Sequence, residues 1–168
     1  MILLGTAFCI LMAPGWFRTD PRHGEYYTIL LLGALGAMAM AGAGDLLQLT
    51  IAVLLSSVTG YTLAAWHRDW ALSIEAGMKY FLMGALANAL LITGVTLMLG
   101  LLGNTGYADI AASLRLGTGL SPLLFVGFAL TLTGVAFKLG AVPAHAWLPD
   151  VAEGAPVAKV VLIISSSS

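Results

Sequence analysis

Long apolar runs separated by short polar segments make up the hydrophobic pattern of this chain. Five runs reach or approach the length of about 20 residues that a helix needs to cross a bilayer, at about residues 2–17, 26–43, 46–66, 71–102 and 122–147, and a sixth begins near residue 156. The runs are continuous and lack the period-two alternation of a membrane β-barrel. A helix satisfies its own backbone hydrogen bonds in lipid. The pattern therefore predicts an all-α integral membrane bundle of about five transmembrane helices plus a partial sixth.

The polar segments between the runs contain turn and capping residues. The stretches "RTDPRHGE" and "HRDW" are interpreted as turns, and "GNTGYADIAASLRLGTGLS" as a longer polar loop. Asp45 is placed to cap the third helix, and Ser121 followed by Pro122 is placed to open the fifth. No internal repeat and no soluble domain is evident, so residues 1–168 are predicted to form a single transmembrane domain.

The basic residues of the connecting segments predict the orientation of the bundle. Arg18, Arg22 and Arg68 fall in connections on one side of the membrane, with Lys159 just inside the sixth helix, whereas the opposite side holds only Arg115. Lysine and arginine are enriched in cytoplasmic loops. The first side is therefore predicted to be cytoplasmic.

Composition agrees with a membrane protein and excludes several classes of function. The chain is 60% hydrophobic and 9% charged, with a mean hydropathy of +0.97, whereas a soluble domain carries roughly 25% charged residues. A net charge of -1 indicates no nucleic-acid partner. Cys9 is the only cysteine, so an intrachain disulfide and a cysteine-based metal cluster are excluded. Nucleotide-binding and metal-ligand motifs are absent, so we expect no metal and no cofactor in this chain.

The segment "FKLGAVPAHAWLPD" places a charge inside the fifth apolar run and then interrupts the helix. Lys138 lies within a stretch that is long enough to cross the membrane once. Gly140 weakens the helix after it, and Pro143 removes a backbone donor, so the helix is predicted to break near Pro143. Broken helices at membrane depth line polar cavities. Lys138 is therefore a candidate buried functional amine, the alternative being an interfacial anchor whose ammonium reaches the membrane surface.

Three further side chains could carry or support proton chemistry. Lys79 lies about two turns into the fourth helix, and Glu75 precedes it by four residues, so the two can pair on one helix face. We expect Lys79 to face the bundle interior, the alternative being a lysine that extends to the interface. His145 follows Lys138 by seven residues and could relay protons, because histidine titrates near physiological pH, or could be only a hydrogen-bonded packing residue.

These residues stand in motifs that resemble the antiporter-like membrane subunits of respiratory complex I. The stretch "FKLGAVPAHAWLPDVAEGAPV" looks like the signature of that superfamily. Three further stretches are similar in order and spacing: "HGEYYTILLLGALGAMAMAGAGDLL", "SIEAGMKYFLMGALANALLITGVTLMLGLLGNTGYADIA" and "PLLFVGFALTLTGVAFK". The resemblance covers about residues 22–157. The "EAGMKYFLMGAL" and "GNTGYADI" stretches are most similar to the subunit N group of the NADH-quinone oxidoreductases.

The resemblance implies a fold of about fourteen helices in two inverted five-helix repeats, of which this chain would be most of the first. It implies that Lys138 and Lys79 belong to a buried polar axis that conducts protons. The implied partners are the lipid bilayer and the other membrane subunits of complex I, with quinone and NADH bound by other subunits. The implied location is the plasma membrane of a prokaryote, or an organelle energy-coupling membrane.

The chain departs from the family pattern at one position and at its ends. The fifth-helix glutamate of the family, which pairs with the lysine of the broken helix, falls on Leu54. A leucine cannot pair with Lys138. Flanking helices are missing, so the chain resembles a fragment. The alternatives to a complex I subunit are a subunit of a multisubunit sodium/proton antiporter or of a membrane-bound hydrogenase, or a structural fragment that conducts nothing.

Overall fold

The computed structural model describes residues 1–16, 23–67, 69–117 and 121–141, together with Pro149, Val151 and Glu153. These residues contain six helices and no strand. The helices are α1 (Ile2–Trp16), α2 (His23–Ala41), α3 (Leu46–Ala64), α4 (Ala71–Leu102), α5 (Tyr107–Arg115) and α6 (Pro122–Lys138). The predicted all-α membrane fold is confirmed. The sixth apolar run, from residue 156, lies outside the described residues.

Three helices in the described ranges are long and apolar enough to cross a membrane. They are α2 over Gly24–Ala41, α3 over its whole length and α4, which has 32 residues. Two shorter apolar helices accompany them, at Ile2–Pro14 and Pro122–Lys138. The apolar runs therefore predict the helices well. The bounds of α4 are as predicted, those of α2 and α3 differ by two or three residues at most, and α6 ends at Lys138, before the predicted end of the fifth run at residue 147.

The short helix α5 is the element that the sequence pattern misses. The segment after α4 is predicted to be a polar loop, but nine of its residues are helical. Ile110 is buried and Leu114 is partly buried, and both pack against Leu46 and Met98 of the main core. Two apolar residues spaced by four give one short helical face, which is too little to stand out in a polar stretch.

Both predicted N-caps are confirmed. The Asp45 carboxylate accepts a hydrogen bond of 2.7 Å from the backbone N–H of Gln48, and the Gln48 side chain accepts one from the Gly44 N–H at 3.0 Å. The Ser121 hydroxyl accepts from the Leu124 N–H at 3.2 Å, with Pro122 in the first turn of α6. Each cap satisfies a backbone donor that the start of a helix leaves without an intrahelical partner.

The α2–α3 turn and the α4–α5 connection lie on the same side of the bundle. The backbone N–H of Leu46 donates to the Thr105 carbonyl at 3.0 Å, and Asp45 and Gly106 form an isolated antiparallel bridge. Two connections that exchange backbone hydrogen bonds lie at one face of the bundle. The predicted topology, in which these two connections share a side, agrees with this geometry.

Glycines let the helices of the bundle approach closely. In α2, a Cβ added at Gly36 would lie 2.8 Å from the Ser56 backbone nitrogen of α3. Gly94 of α4 faces the backbone of α6 in the same way, where an added Cβ would lie 2.6 Å from the Thr131 nitrogen. Small residues at membrane helix contacts permit this kind of backbone approach. The glycine at position 36 therefore serves the packing of α2 on α3.

Candidate functional site

Helix α6 ends at Lys138 in a Schellman motif. Gly140 adopts φ 65°, the left-handed conformation that glycine adopts without steric cost. Its N–H donates to the Phe137 carbonyl at 3.0 Å, and the Ala141 N–H donates to the Ala136 carbonyl at 2.9 Å. This pair of bonds is the usual way to stop a helix at a glycine. The predicted interruption after Lys138 therefore begins at Gly140.

The second half of the predicted break falls on residues that the structure does not describe. Pro143 and His145 both belong to this part of the chain. Their predicted roles, as helix breaker and proton station, stay predictions. Val151, farther along, is buried in a cluster with Tyr80 and Phe137, so the chain at Val151 packs near the end of α6.

Lys138 lies on the face of α6 that packs against α4. Gly127, Thr131 and Gly134 form this face, and an added Cβ at Gly134 would lie 2.6 Å from the Leu91 Cβ. Lys138 follows Gly134 by four residues, so it continues the same face one turn farther along. The Lys138 residue is partly buried. The structure therefore places the lysine where a packed helix contact ends.

Three aromatic rings pack together near Lys138. Phe137 stacks on Tyr80 of α4 with ring centroids 6.3 Å apart, and Tyr80 meets Tyr61 of α3 edge-on at 4.8 Å. Phe137 and Tyr80 are buried. The three rings connect α6, α4 and α3 beside the lysine.

Lys79 pairs with Glu75 as predicted but does not face the interior of this chain. Its ammonium lies 2.9 Å from the Glu75 carboxylate, and the two side chains are 47% and 60% exposed. The buried positions of α4 nearby are Ala76, Gly77 and Tyr80, and the Lys79 side chain lies at the exposed edge of the face that they form. The expected interior position is therefore wrong for the described part of this chain, and a role for Lys79 and Glu75 in a proton path stays a prediction.

Helix α3 offers Lys138 no carboxylate. Leu54, at the position where the family pattern has a glutamate, is partly buried, and α3 contains no acidic residue from Leu46 to Ala64. Its buried polar side chains are hydroxyls, those of Thr50, Ser57 and Thr59. Any polar partner that α3 supplies near Lys138 is therefore neutral.

A buried polar contact between α3 and α4 was missed at the level of the sequence. The Asn88 amide of α4 donates to the Tyr61 hydroxyl of α3 at 3.3 Å. Asn88 stands in the middle of a 32-residue apolar helix. That position was the sign in the sequence of a buried polar contact, because an amide in lipid is costly unless it has a hydrogen-bond partner. Its partner could not be read from the sequence, since the pairing depends on the register between two helices.

The described residues hold no group of three or more histidine, cysteine, aspartate or glutamate side chains that could bind a metal ion. The candidate site therefore consists of an amine at a helix end, aromatic rings and neutral polar groups. Such a set can hold water and pass protons, since amine, hydroxyl and amide groups all exchange hydrogen bonds with water.

Known proteins match this chain over most of its length. A family model described as "NADH:quinone oxidoreductase/Mrp antiporter, TM" matches residues 43–167. The NADH-quinone oxidoreductase subunit N 1 of Streptomyces griseus is 47% identical over 156 residues, and subunit N of Sphingopyxis alaskensis is 42% identical over 156 residues. Each alignment covers 93% of this chain and 32% of the relative, so the chain spans about a third of the length of these relatives.

The fold is similar to that of a solved respiratory complex. A chain of respiratory complex I from Thermus thermophilus, determined with bound aureothin, superposes with a TM-score of 0.81 at 31% sequence identity. The superposition covers 99% of this chain and 36% of that chain. Sequence, family model and fold agree, and the chain belongs to the transmembrane family of NADH:quinone oxidoreductases and Mrp antiporters.

Proposed function

We propose that this chain is part of a membrane subunit of a proton-translocating NADH-quinone oxidoreductase, and that Lys138 is a protonatable group of its proton path. The observation that carries the proposal is the placement of Lys138, a partly buried lysine at the end of a packed helix face. The relatives in sequence are named as subunits N of this enzyme, which supports it over an antiporter or hydrogenase subunit.

The end of α6 suits a cation that gains and loses a proton. The last carbonyls of a helix and the negative end of its dipole point past its C-terminus. In α6 the carbonyls of Ala136 and Phe137 accept the two hydrogen bonds of the Schellman motif. The remaining carbonyls at the helix end can accept hydrogen bonds from water or from an ammonium group. The ammonium form of Lys138 is stabilised there by dipoles that need no rearrangement when the charge appears.

The chemistry of this chain would be confined to protons. We propose that NADH and quinone bind to other subunits, that this chain carries no cofactor, and that its partners are the other membrane subunits and the bilayer. His145 would be the next proton station beyond Lys138, with Gly140 and Pro143 shaping the break between them. Lys79 with Glu75 would continue the path along α4. The proposed location is the plasma membrane of a prokaryote.

The test is proton translocation by the full-length protein in its assembled complex. In inverted membrane vesicles, Lys138→Ala should lower the protons translocated per NADH oxidised, because the vesicles lose a protonatable amine. Leu139→Ala is the matched control, since Leu139 is the exposed neighbour at the same helix end. Full proton translocation by the Lys138→Ala complex would favour the alternative in which this segment is only structural. Membranes that retain NADH oxidation when the protein is deleted would favour an antiporter or hydrogenase subunit.

A further inference from the structure

Three polar side chains, those of Ser57, Tyr61 and Asn88, lie on α3 and α4 where the two helices meet. Ser57 is 2% exposed and Asn88 is 8% exposed. The Asn88 amide donates to the Tyr61 hydroxyl at 3.3 Å, and Ser57 precedes Tyr61 by one turn of α3. The Asn88 hydrogen bond holds the phenolic oxygen of Tyr61 in position inside the bundle.

The two helices make space for hydroxyl groups at this level. An added Cβ at Gly84 of α4 would overlap the Tyr61 hydroxyl, and an added Cβ at Gly60 of α3 would lie 3.2 Å from the Tyr80 hydroxyl. Each helix thus contributes a tyrosine and the glycine that accommodates the tyrosine of its neighbour.

The register of α6 places Lys138 beside this level. Thr131 lies against Gly94, and Gly134 lies against Ala87, so α6 runs antiparallel to α4. One further turn along α6 brings Lys138 to the next turn of α4 toward its N-terminus.

That turn of α4 contains Gly84, against which the Tyr61 ring lies. The ring contacts agree with this register, since Phe137, the neighbour of Lys138, stacks on Tyr80, and Tyr80 contacts Tyr61. Lys138 on α6 and Tyr61 on α3 therefore flank the same part of α4.

We propose that Tyr61, held by Asn88, is a proton-relaying residue connected to Lys138 through water molecules. This inference rests on the proposed function of Lys138. Leu54 stands where the family pattern has a glutamate, so α3 has no carboxylate to exchange protons with Lys138. The inference gives that role to neutral side chains of α3 and α4. Leu54, Ser57 and Tyr61 are spaced by three and four residues, so they share one face of α3.

The relay step balances without a redox partner. The Lys138 ammonium gives a proton to a water molecule, and that water gives one to the Tyr61 oxygen. A new O–H bond forms there while the original phenolic O–H bond breaks, and its proton passes to the next water. Tyr61 ends neutral, as it began, and the direction is reversed when Lys138 takes up a proton. Asn88 donates to the Tyr61 oxygen throughout, so the ring stays in place.

The experiment compares Tyr61→Phe with Tyr107→Phe in the full-length protein, assembled in its complex in inverted vesicles. Phenylalanine keeps the ring contacts of Tyr61 and removes only its hydroxyl. Tyr107, in α5 and outside the long apolar helices, is the matched control for the same chemical change. Tyr61→Phe should slow proton translocation by about tenfold. This loss is smaller than the hundredfold or more typical of a group that transfers a proton directly, because water can bypass one hydroxyl.

The outcomes separate this inference from the proposal on which it rests. Full proton flux in Tyr61→Phe with reduced flux in Lys138→Ala overturns the relay and leaves the role of Lys138 standing. Full flux in both variants overturns both. A native gel measures assembly, and a loss of flux in Tyr61→Phe that only matches a loss of assembled complex shows a structural hydroxyl and overturns the relay. Reduced flux with normal assembly and NADH oxidation, and an unchanged Tyr107→Phe control, supports it.

Discussion

The contact between α4 and α6 predicts that Gly134→Ala destabilises the protein. A Cβ added at Gly134 would lie 2.6 Å from the Leu91 Cβ and 2.9 Å from the Ala87 carbonyl oxygen. Neither atom is the flexible end of a side chain, so the two helices must separate by about 1 Å to restore van der Waals contact. Because Lys138 lies one turn from Gly134, this separation also displaces the lysine.

The magnitude follows from two opposing terms. Overpacking a close contact costs about 1–3 kcal/mol, and replacing glycine by alanine inside a helix returns about 0.8–1.0 kcal/mol. Since one of the clashing atoms belongs to the backbone, we expect the packing cost to prevail, with a net loss of about 1–2 kcal/mol. Gly100→Ala is the matched control, because Gly100 is also helical and an added Cβ there meets nothing within 4 Å.

The assay is thermal unfolding of the purified full-length protein in detergent, followed by helical circular dichroism. Gly134→Ala should unfold at a lower temperature than the wild type, whereas Gly100→Ala should unfold at the same or a higher temperature. A Gly134→Ala protein as stable as the Gly100→Ala protein would refute the close packing of α6 on α4, and with it the register that places Lys138 beside Gly84.

Two further substitutions test local features of the fold in the same unfolding assay. Asp45→Ala removes the cap of α3 and should cost about 1 kcal/mol, whereas Asp45→Asn should retain most of the stability; equal losses in the two variants would contradict the capping role. Gly140→Ala places a side chain at a positive φ and should cost about 1–2 kcal/mol. An unchanged or raised unfolding temperature in Gly140→Ala would show that α6 continues past Lys138 without the left-handed turn.

The membrane helices could be predicted from the sequence because long apolar runs and capping residues act locally. The start of α3 follows Asp45 and the start of α6 follows Ser121, as the capping rule requires. The end of α6 was less well predicted, because Pro143 is the stronger helix breaker but Gly140 comes first along the chain and already terminates the helix. Helix α5 was missed because its stability depends on a tertiary contact of Ile110 with the main core.

The candidate site was only partly predictable. Lys138 stands out in the sequence because a charge inside an apolar run is rare. Tyr61 and Asn88 do not stand out as a pair, since they are 27 residues apart and meet only through the packing of α3 on α4. The prediction that Lys79 faces the interior was wrong for the described part of this chain. Charge alone does not say which side of a helix is buried, whereas the neighbouring buried residues do.

The most direct test of the central claim is the proton flux of the assembled complex with Lys138→Arg. Arginine keeps a long side chain and a positive charge, but it does not release its proton in proteins. If Lys138 works by gaining and losing a proton, Lys138→Arg vesicles should oxidise NADH with a proton flux as low as that of Lys138→Ala. A proton flux in Lys138→Arg equal to that of the wild type would show that only the charge of Lys138 matters, and would contradict its role as a protonatable group.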